Sequence, residues 1–385
     1  MPSIVNIENF LGNVKVFFDF SFFLFFLKFT IFPLCNPFAT FNTMTELTKQ
    51  RFLKFKQNKL AWCSFVILFS AYILSLTSPW LVNDKPLLLK YNSKLYCPAL
   101  FHYPQNEFYG NYATEPNYKE LVLYAKENSV PVFAVFPPIP HSPVKSQLEN
   151  AGSPPYAPSS KHWLGTDAHG RDVLARLIHG FRICMSFSIL LSLIGTFLGL
   201  VIGGVQGYLG GKTDIIFQRL IEIWAALPFL YVVILLGSIY GQGFWLLAVI
   251  MAAFSWIGLS YYMRAEFFKI KQMQFVKAAT VLGLSHKRIF FKEILPNALT
   301  PVITIFPFSL IGGISGLTSL DFLGFGLRPP TPSWGDLLSQ GLANLYAPWI
   351  TIFTITALFT TLMLASFIGE GIRDAFDPKS GDRFE

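Results

Sequence analysis

The residues whose types could do chemistry are concentrated between positions 162 and 180. This segment carries histidines and carboxylates that could form a hydrolytic or metal-binding site: His162, Asp167, His169, Asp172 and His179. Helix capping explains much of the pattern without catalysis, because Thr166 or Asp167 can accept hydrogen bonds from free backbone N–H groups where a helix begins. Arg171, Asp172 and Arg176 can lie in the polar headgroup layer of a membrane. We therefore expect neither a catalytic nor a metal site here.

Residue spacing argues against two further kinds of site. The four cysteines show no Cys-x-x-Cys pair and no histidine at metal-ligand spacing: Cys35, Cys63, Cys97 and Cys184. The chain also lacks the Gly-x-x-x-x-Gly-Lys-Ser/Thr loop that holds nucleotide phosphates. We expect no enzyme activity and no cofactor bound by this chain, so that energy for any active process comes from a partner.

The composition is that of a membrane protein. Hydrophobic residues make up 52% of the 385 residues and charged residues only 14%, which is outside the range of soluble domains. The net charge of +8 could suggest a nucleic-acid partner, but the basic residues cluster beside apolar runs. The positive-inside rule explains that placement, and we expect no nucleic-acid binding.

Apolar runs predict six transmembrane helices and an all-α polytopic fold, since about 20 helical residues cross a bilayer. The runs fall at residues 60–79, 183–206, 215–239, 244–263, 299–318 and 349–369. The connection 264–297 carries seven Lys and Arg residues, whereas 319–348 carries only Arg328. The positive-inside rule therefore places 264–297 in the cytoplasm.

These spans divide the chain into segments. They are an N-terminal basic segment (1–59), the first span (60–79), a large external segment with a Pro-rich linker (80–182), a core of five spans (183–378) and a cytoplasmic tail (379–385). The apolar run at 16–35 is an extra span, an interfacial segment, or sequence upstream of a true start at Met44. We favour the start at Met44, because a basic segment and a span follow it at once.

The cytoplasmic connection contains two short helical pieces with a joint between them. Ala278 and Ala279 let a partner's backbone approach closely, and Gly283 permits a sharp change of direction. Pro296 is expected to end the second piece. This arrangement is typical of a docking element joined to a membrane span. An amphipathic helix lying on the bilayer surface is the alternative interpretation.

That connection resembles the EAA loop of ABC importer permeases, in the oligopeptide and dipeptide branch where Ile-Leu-Pro-Asn-Ala follows a basic residue. Three further motifs match the family in the same order along the chain. They are Trp-Leu-Gly-Thr-Asp with Gly-Arg-Asp at 163–172, Gly-Tyr-Leu-Gly-Gly-Lys-Thr-Asp at 207–214, and the run 320–335 ending in Pro-Ser-Trp-Gly. They resemble the C-type permeases of oligopeptide, dipeptide and microcin C importers. The resemblance covers residues 160–378.

The resemblance implies a type I ABC importer permease that moves peptides or peptide-like solutes across the bacterial inner membrane. It implies four kinds of partner: a second homologous permease, cytoplasmic ATPase subunits that bind ATP and Mg, a periplasmic solute-binding protein and membrane lipid. The residues it assigns to ATPase coupling are Lys277, Ala278, Ala279, Gly283, Ile294, Leu295, Pro296 and Asn297. The family often has glutamate at the position of Lys277, so the pairing residue of the ATPase stays open.

Glycines recur every fourth residue in the second span and form a face of small residues: Gly195, Gly199, Gly203 and Gly207. Such faces let helices touch in lipid, and the partner is a helix of this subunit or of a second one. Pro228 is expected to kink the third span. Arg219 and Glu222 are spaced to form an ion pair on one helix face.

A stand-alone channel or an ion-coupled secondary transporter is the alternative function. The spans lack the buried carboxylate and histidine relays of ion-driven carriers, since charges lie near span ends at Arg219, Glu222, Glu266 and Glu370. Substrate-binding residues are not identified by the sequence. If the coupling loop acts as described, Gly283→Asp blocks transport and leaves membrane insertion intact.

Overall fold

The computed structural model describes residues 46–92, 94–108, 115–147 and 152–377. The apolar run at 16–35, the start at Met44 and the tail at 379–385 lie outside the described residues. In chain order, the α-helices are α1 (Glu46–Gln57), α2 (Lys59–Leu76), α3 (Ser78–Leu81), α4 (Tyr118–Glu127), α5 (Val173–Leu209), α6 (Gly211–Ala225), α7 (Phe229–Tyr240), α8 (Phe244–Lys271), α9 (Gln274–Val281), α10 (His286–Arg288), α11 (Leu295–Phe322), α12 (Trp334–Ala343) and α13 (Pro348–Phe376). The strands are β1 (Leu88–Tyr91), β2 (Lys94–Tyr96) and β3 (Val132–Val135).

Five of the described helical segments are long and apolar enough to cross a membrane. They are α2, α5, α8, the continuous run from α10 to α11 at His286–Phe322, and α13. Helices α6 and α7 are bent by 66° where they meet, and they make a sixth span if counted as one. The bend lies at Pro228, which confirms the predicted kink, because proline cannot donate the helical hydrogen bond. The predicted helical membrane fold is confirmed.

The second span is longer than predicted. Its helix α5 begins at Val173, ten residues before the predicted start at 183. The extra turns carry Arg176, His179 and Arg182, which an apolar-run criterion leaves outside the span. These polar side chains are accommodated because the described segments around α5 cover them, and Arg176 is fully buried.

Helix α5 lies at the centre of the bundle. It packs along α8 and α11, while α13 packs against α2 and α11. The main apolar core includes Phe187 of α5, Ile314 of α11, Leu337 of α12 and Ile350 of α13, all fully buried. Because lipid tails are as apolar as these side chains, close packing is what holds such helices together.

The segment between the first two spans contains a small sheet with its own core. Its strands are antiparallel in the order β2-β1-β3, and Leu89 of β1 aligns with Tyr96 and Ala134. Leu89, Tyr118 and Leu121 of this segment are buried together. The helical prediction therefore applies to the membrane bundle, and this segment adds β structure that the sequence analysis did not predict.

Candidate functional site

The predicted docking element forms a hairpin of short helices at the end of α8. Helix α8 ends at Lys271, α9 runs over Gln274–Val281, and Gly283 lies in the left-handed region with φ of +75°. Ser285 caps α10 by accepting a hydrogen bond from the backbone N–H of Arg288 at 3.4 Å. Gly283 therefore makes the predicted change of direction, in a conformation that glycine adopts at little cost.

Pro296 does not end the second helical piece, contrary to our expectation. A π-helical turn at Ile289–Ile294 leads from α10 directly into α11, and Pro296 lies in the first turn of α11. The π turn already interrupts the regular α-helical hydrogen-bond pattern, so a residue without an N–H group is accommodated at this point of the run. The docking element and the span are consequently one continuous helical run.

An apolar cluster fixes the hairpin to the bundle. Val276 and Ala279 of α9 are buried, as are Ile289 and Ile294 of the π turn. They pack with four buried residues of α8 and with two of α11: Leu259, Met263, Phe267, Ile270, Ala298 and Val302. This cluster is separate from the main core of the bundle. The hairpin should therefore move together with the cytoplasmic end of α8.

The outer side of the hairpin is exposed and apolar. Val281 and Leu282 have relative exposures of 87% and 79%, and Phe291 is also exposed. Exposed basic residues flank these side chains: Lys277, Lys287, Arg288 and Lys292. We call Phe275, Val281, Leu282 and Phe291 the apolar tip. Exposed apolar side chains grouped on one element are typical of surfaces that bind a protein or a membrane.

The eight residues assigned to coupling fall on different sides of this hairpin. Ala279 and Ile294 are buried and hold it in place, while Leu295 and Pro296 are partly buried at the start of α11. The exposed members are Lys277, Ala278, Gly283 and Asn297. A side chain added at Gly283 meets open space, with nothing within 4 Å of its Cβ.

Tyr208, at the end of α5, joins the hairpin to a second membrane helix. Its hydroxyl lies 2.8 Å from Nδ1 of His286, and its ring packs edge-on against Phe290 at 5.5 Å between centroids. The Lys271 ammonium donates to the Tyr208 carbonyl oxygen at 2.6 Å. This contact was not predicted from the sequence. Tyr208 lies in the quoted motif at 207–214, but one sequence does not show that His286 lies near it.

The four glycines of α5 face α8 of the same chain. A Cβ on Gly203 would lie 2.2 Å from the Ser260 carbonyl oxygen, and one on Gly207 would lie 2.5 Å from the Arg264 carbonyl oxygen. A Cβ on Gly195 would lie 2.5 Å from the Ser255 hydroxyl oxygen, and one on Gly199 would lie 2.8 Å from the Leu259 Cβ. We call this face the glycine seam. It lets the backbones of α5 and α8 touch, and each larger side chain would push them apart.

An ion pair joins α6 to α8 beside the seam. The Arg264 guanidinium donates to both carboxylate oxygens of Asp214, at 2.5 and 2.6 Å. Gly210 occupies the cap position of α6, and Asp214 lies in its first turn. Gly210 and Gly211, at the start of α6, both have positive φ angles. The pair expected between Arg219 and Glu222 is present at 2.6 Å on an exposed face.

At the external end, the charged residues near 170 form a buried network instead of lying in the headgroup layer. Arg176 is fully buried and donates to Asp336 at 2.8 Å and to the Pro143 carbonyl oxygen at 3.0 Å. Arg171 donates to Asp167 at 2.7 Å. The headgroup expectation was wrong because α12 and the external segment cover these residues. A buried pair of this kind is costly to break from one side.

Capping of α5 also differs from our expectation. Asp172 is the cap, accepting from the backbone N–H of Ala175 at 2.8 Å. Thr166 instead accepts from the Tyr156 N–H, and Asp167 accepts from the backbone N–H groups of His169 and Arg171. The cap is five or six residues later than the sequence suggested, because Thr166 and Asp167 lie in the turn before the helix.

Two histidines and a carboxylate meet beside this cap. His141, His162 and Asp172 offer ligand atoms within 4.8 Å of one another, a grouping that the sequence analysis did not anticipate because His141 lies outside the segment at 162–180. Nδ1 of His162 is 2.8 Å from Oδ2 of Asp172. Nδ1 of His141 is 3.0 Å from Oε1 of Gln147, and its Nε2 is 2.8 Å from the Lys161 carbonyl oxygen. These contacts tie the external segment to the start of α5. Burial lowers the pKa of His141 from its ordinary value.

The motif at 320–335 folds back onto the bundle. Ser333 caps α12 and hydrogen-bonds Asp321, which also accepts from the Leu327 N–H at 2.6 Å. Trp334 is buried and donates from Nε1 to the Leu177 carbonyl oxygen at 3.0 Å. Its ring and its N–H group are both used inside the protein, between α12 and α5.

Comparisons with known proteins match this arrangement. The family model for the inner membrane component of binding-protein-dependent transport systems matches residues 195–381. The chain is 39% identical over 336 residues to the inner membrane ABC transporter permease protein YejE of Escherichia coli, covering 87% of this chain and 98% of that protein. The chain belongs to this family of transport permeases. The prediction of a multi-pass permease subunit of an ABC importer in the inner membrane is thereby confirmed.

Two other relatives show how far the similarity extends. The permease is 37% identical over 359 residues to the peptidoglycan transport system permease protein YejE of Agrobacterium fabrum, covering 86% of this chain and 93% of that protein. It is 40% identical over 219 residues to the oligopeptide transport system permease protein OppC of Haemophilus influenzae, covering 57% and 70%. These relatives are themselves transport permeases, which favours an ABC permease over a stand-alone channel or an ion-coupled carrier.

Proposed function

We propose that this permease moves peptides or peptide-like solutes into the cell and is driven by cytoplasmic ATPase subunits that dock on the apolar tip. The names of its relatives support this solute class, since they include permeases for peptidoglycan and oligopeptide transport. ATP and Mg bind to the ATPase subunits. A periplasmic solute-binding protein delivers the solute, and a second permease completes the pathway.

The exposed apolar tip is the observation that carries the ATPase proposal. Val281 and Leu282 are almost fully exposed at the end of a hairpin whose inner side is buried. Burying a side chain of this size contributes roughly 1.5–3 kcal/mol, so several together are enough for specific docking. The flanking Lys277, Lys287 and Arg288 fit an acidic rim on the ATPase.

The hairpin is built to transmit displacement. Its apolar cluster joins it to α8, and Tyr208 joins it to α5. The π turn at Ile289–Ile294 leads into α11 without a break. When ATP binding draws the ATPase subunits together, a shift of the hairpin acts on the ends of three membrane helices. The bundle would then alternate between inward-facing and outward-facing arrangements, a rigid-body transition between two packed states.

Helices α6 and α7 carry the surface proposed for the second permease. Their apolar side chains are exposed along the length of the bent pair: Ile215, Ile216, Leu220, Ile223, Tyr231, Leu235 and Ile239. Few of their residues pack on the described bundle, and Ile221 and Val233 are the buried apolar exceptions. A transport pathway between two such subunits would lie along this face.

Copurification tests the docking proposal with a matched pair of variants. Leu282 of the tip and Leu345 near the external end have relative exposures of 79% and 77%. Leu282→Asp should abolish recovery of the ATPase with the tagged permease, whereas Leu345→Asp should leave it unchanged. Retention of the ATPase by both variants would refute docking at the tip. Recovery of the wild-type permease alone, in several mild detergents, would refute the partnership itself.

Uptake by cells tests the solute class. Cells that produce the complete transporter should accumulate a labelled tripeptide in an ATP-dependent way, and the Leu282→Asp variant should not. Unlabelled tripeptide should compete and an unrelated sugar should not. Accumulation driven by an ion gradient after ATP depletion would instead support a secondary transporter.

A further inference from the structure

An apolar cavity that the proposed transport cycle does not use lies between α1, α2, α5, α11 and α13. Its volume is about 450 Å³, which is within the range of small-molecule sites. Its walls are aromatic and aliphatic, including Phe55, Trp62, Phe65, Leu299 and Leu310. Its end at Arg51 and Pro296 lies on the side of the bundle that the positive-inside rule places toward the cytoplasm.

The shape of the cavity fits an extended chain. Pro296 and Leu310 of α11 both line it, and the helical rise separates them by roughly 21 Å. One leaflet of the hydrocarbon core is roughly 15 Å thick, so the cavity reaches from the headgroup level past the middle of the bilayer. Spread over that length, the volume corresponds to a slot about 5–8 Å wide, narrower than the 10–12 Å of a helix with its side chains.

The cavity is also accessible from the membrane. Phe52 of α1 and Phe69 of α2 line it and have relative exposures of 47% and 37%. Lipid can therefore reach the slot sideways, without a path through the protein.

A cation marks the cytoplasmic end of the slot. Among the described residues that line it, Arg51 is the charged one. Its guanidinium lies over the ring of Phe376, the last residue of α13, at 4.5 Å from the centroid. Helix α1 also carries Lys49, Lys54 and Lys56, which are exposed. A basic helix directly before a membrane span attracts anionic lipid headgroups.

We propose that this slot binds an anionic phospholipid of the cytoplasmic leaflet, with an acyl chain between α2 and α11 and its phosphate at Arg51. The apolar walls supply affinity for the chain, and the basic helix supplies preference for negative charge. Bound lipid would fill the space between α2 and the rest of the bundle. This site does not depend on ATPase docking, so the two proposals can fail separately.

Native mass spectrometry tests the site on the purified permease with the subunits that remain bound to it. Dioleoyl phosphatidylglycerol and dioleoyl phosphatidylcholine are added to delipidated protein in equal amounts. The wild type should retain phosphatidylglycerol preferentially. Arg51→Gln should lower that preference about fivefold, as expected for one basic residue near the surface, which contributes about 1 kcal/mol. Lys49→Gln, on an exposed residue of the same helix that does not line the slot, should have a smaller effect.

Two further measurements distinguish binding of the acyl chain from binding of the phosphate. Ile303→Trp fills the slot and should reduce retention of both lipids, with the thermal stability of the protein checked in parallel. Soluble glycerol phosphate should not displace bound lipid, because it lacks the chain. Equal retention of both lipids by the wild type, or an unchanged preference in Arg51→Gln, would overturn the proposal. So would displacement by glycerol phosphate, or a photo-cross-linker at position 303 that labels a protein subunit instead of lipid.

Discussion

Gly203 is the position where the seam between α5 and α8 is tightest. A Cβ added at this position would lie 2.2 Å from the Ser260 carbonyl oxygen and 2.9 Å from the Met263 Cβ. Both neighbours belong to a rigid part of α8, so neither can rotate away as the end of a long side chain would. We therefore expect Gly203→Ala to force the two helices apart locally by about 1 Å, which brings the new contact toward an ordinary van der Waals distance.

The magnitude follows from two opposing effects. Alanine favours a helix over glycine by roughly 1 kcal/mol, which would stabilise α5. Overpacking a tight contact costs typically 1–3 kcal/mol, and contact with backbone at 2.2 Å places Gly203 at the upper end. Net destabilisation should therefore be about 1–2 kcal/mol. Gly195→Ala should cost less, because its closest neighbour is the movable Ser255 hydroxyl.

Thermal unfolding of the purified permease in detergent measures this difference. The matched control is Gly258→Ala on α8, where nothing lies within 4 Å of the added Cβ, so that variant should be neutral or stabilised. Transport should fall in Gly203→Ala and persist in Gly258→Ala. Equal stability of the two variants would refute the argument that the α5–α8 contact needs glycine at 203.

Three other predictions concern the ends of the bundle. Tyr208→Phe removes the hydroxyl that contacts His286 and keeps the ring on Phe290. The ATPase should still copurify, while the amount of solute transported per ATP hydrolysed should fall severalfold. An unchanged ratio would contradict a role for Tyr208 in coupling the hairpin to α5. Gly283→Asp should block solute uptake without reducing the amount of permease in the membrane fraction, and normal uptake would contradict a role for this turn in coupling. The backbone strain is moderate, because Asp is among the residues that tolerate positive φ. A more severe defect is therefore expected for Gly283→Val. Burial lowers the pKa of His141, so His141 binds a proton more readily when the external segment detaches from α5. Attachment of the external segment to α5 should therefore be complete above about pH 6.5 and should weaken as the pH falls below that value. Hydrogen exchange of residues 141–147, corrected for intrinsic rates, should show the loss of protection at low pH, and protection that does not change with pH would contradict the prediction.

The sequence predicted the bundle but not its polar connections. Spans, the bend at Pro228 and the turn at Gly283 follow from local properties: apolar length, a missing N–H donor and freedom at positive φ. The contact of Tyr208 with His286, and that of Arg176 with Asp336, join positions far apart in the chain. Periodicity and propensity carry no information on such pairs, so the sequence analysis placed Arg176 in the headgroups.

Pro296 shows how a correct local rule can give a wrong result. Proline disfavours the interior of a regular α-helix, but Pro296 follows a π turn that already interrupts the regular hydrogen-bond pattern. The sequence did not reveal that α11 begins at Leu295, directly after the π turn. The same ambiguity affected the cap of α5, where Thr166, Asp167 and Asp172 all have suitable side chains. Only the start of the helix at Val173 selects Asp172.

The connections that the sequence missed are those that a coupling mechanism requires. A docking surface does no work unless its displacement reaches the pathway, and a hinge at the base of the hairpin would absorb that displacement. The structure has continuous helix from α10 into α11, a buried cluster on α8 and the Tyr208 contact to α5. The glycine seam then holds α5 against α8 along several turns. Because these helices are held to one another, a shift at the apolar tip should rotate them together, while the bent pair α6–α7, which packs less closely on them, can change its angle.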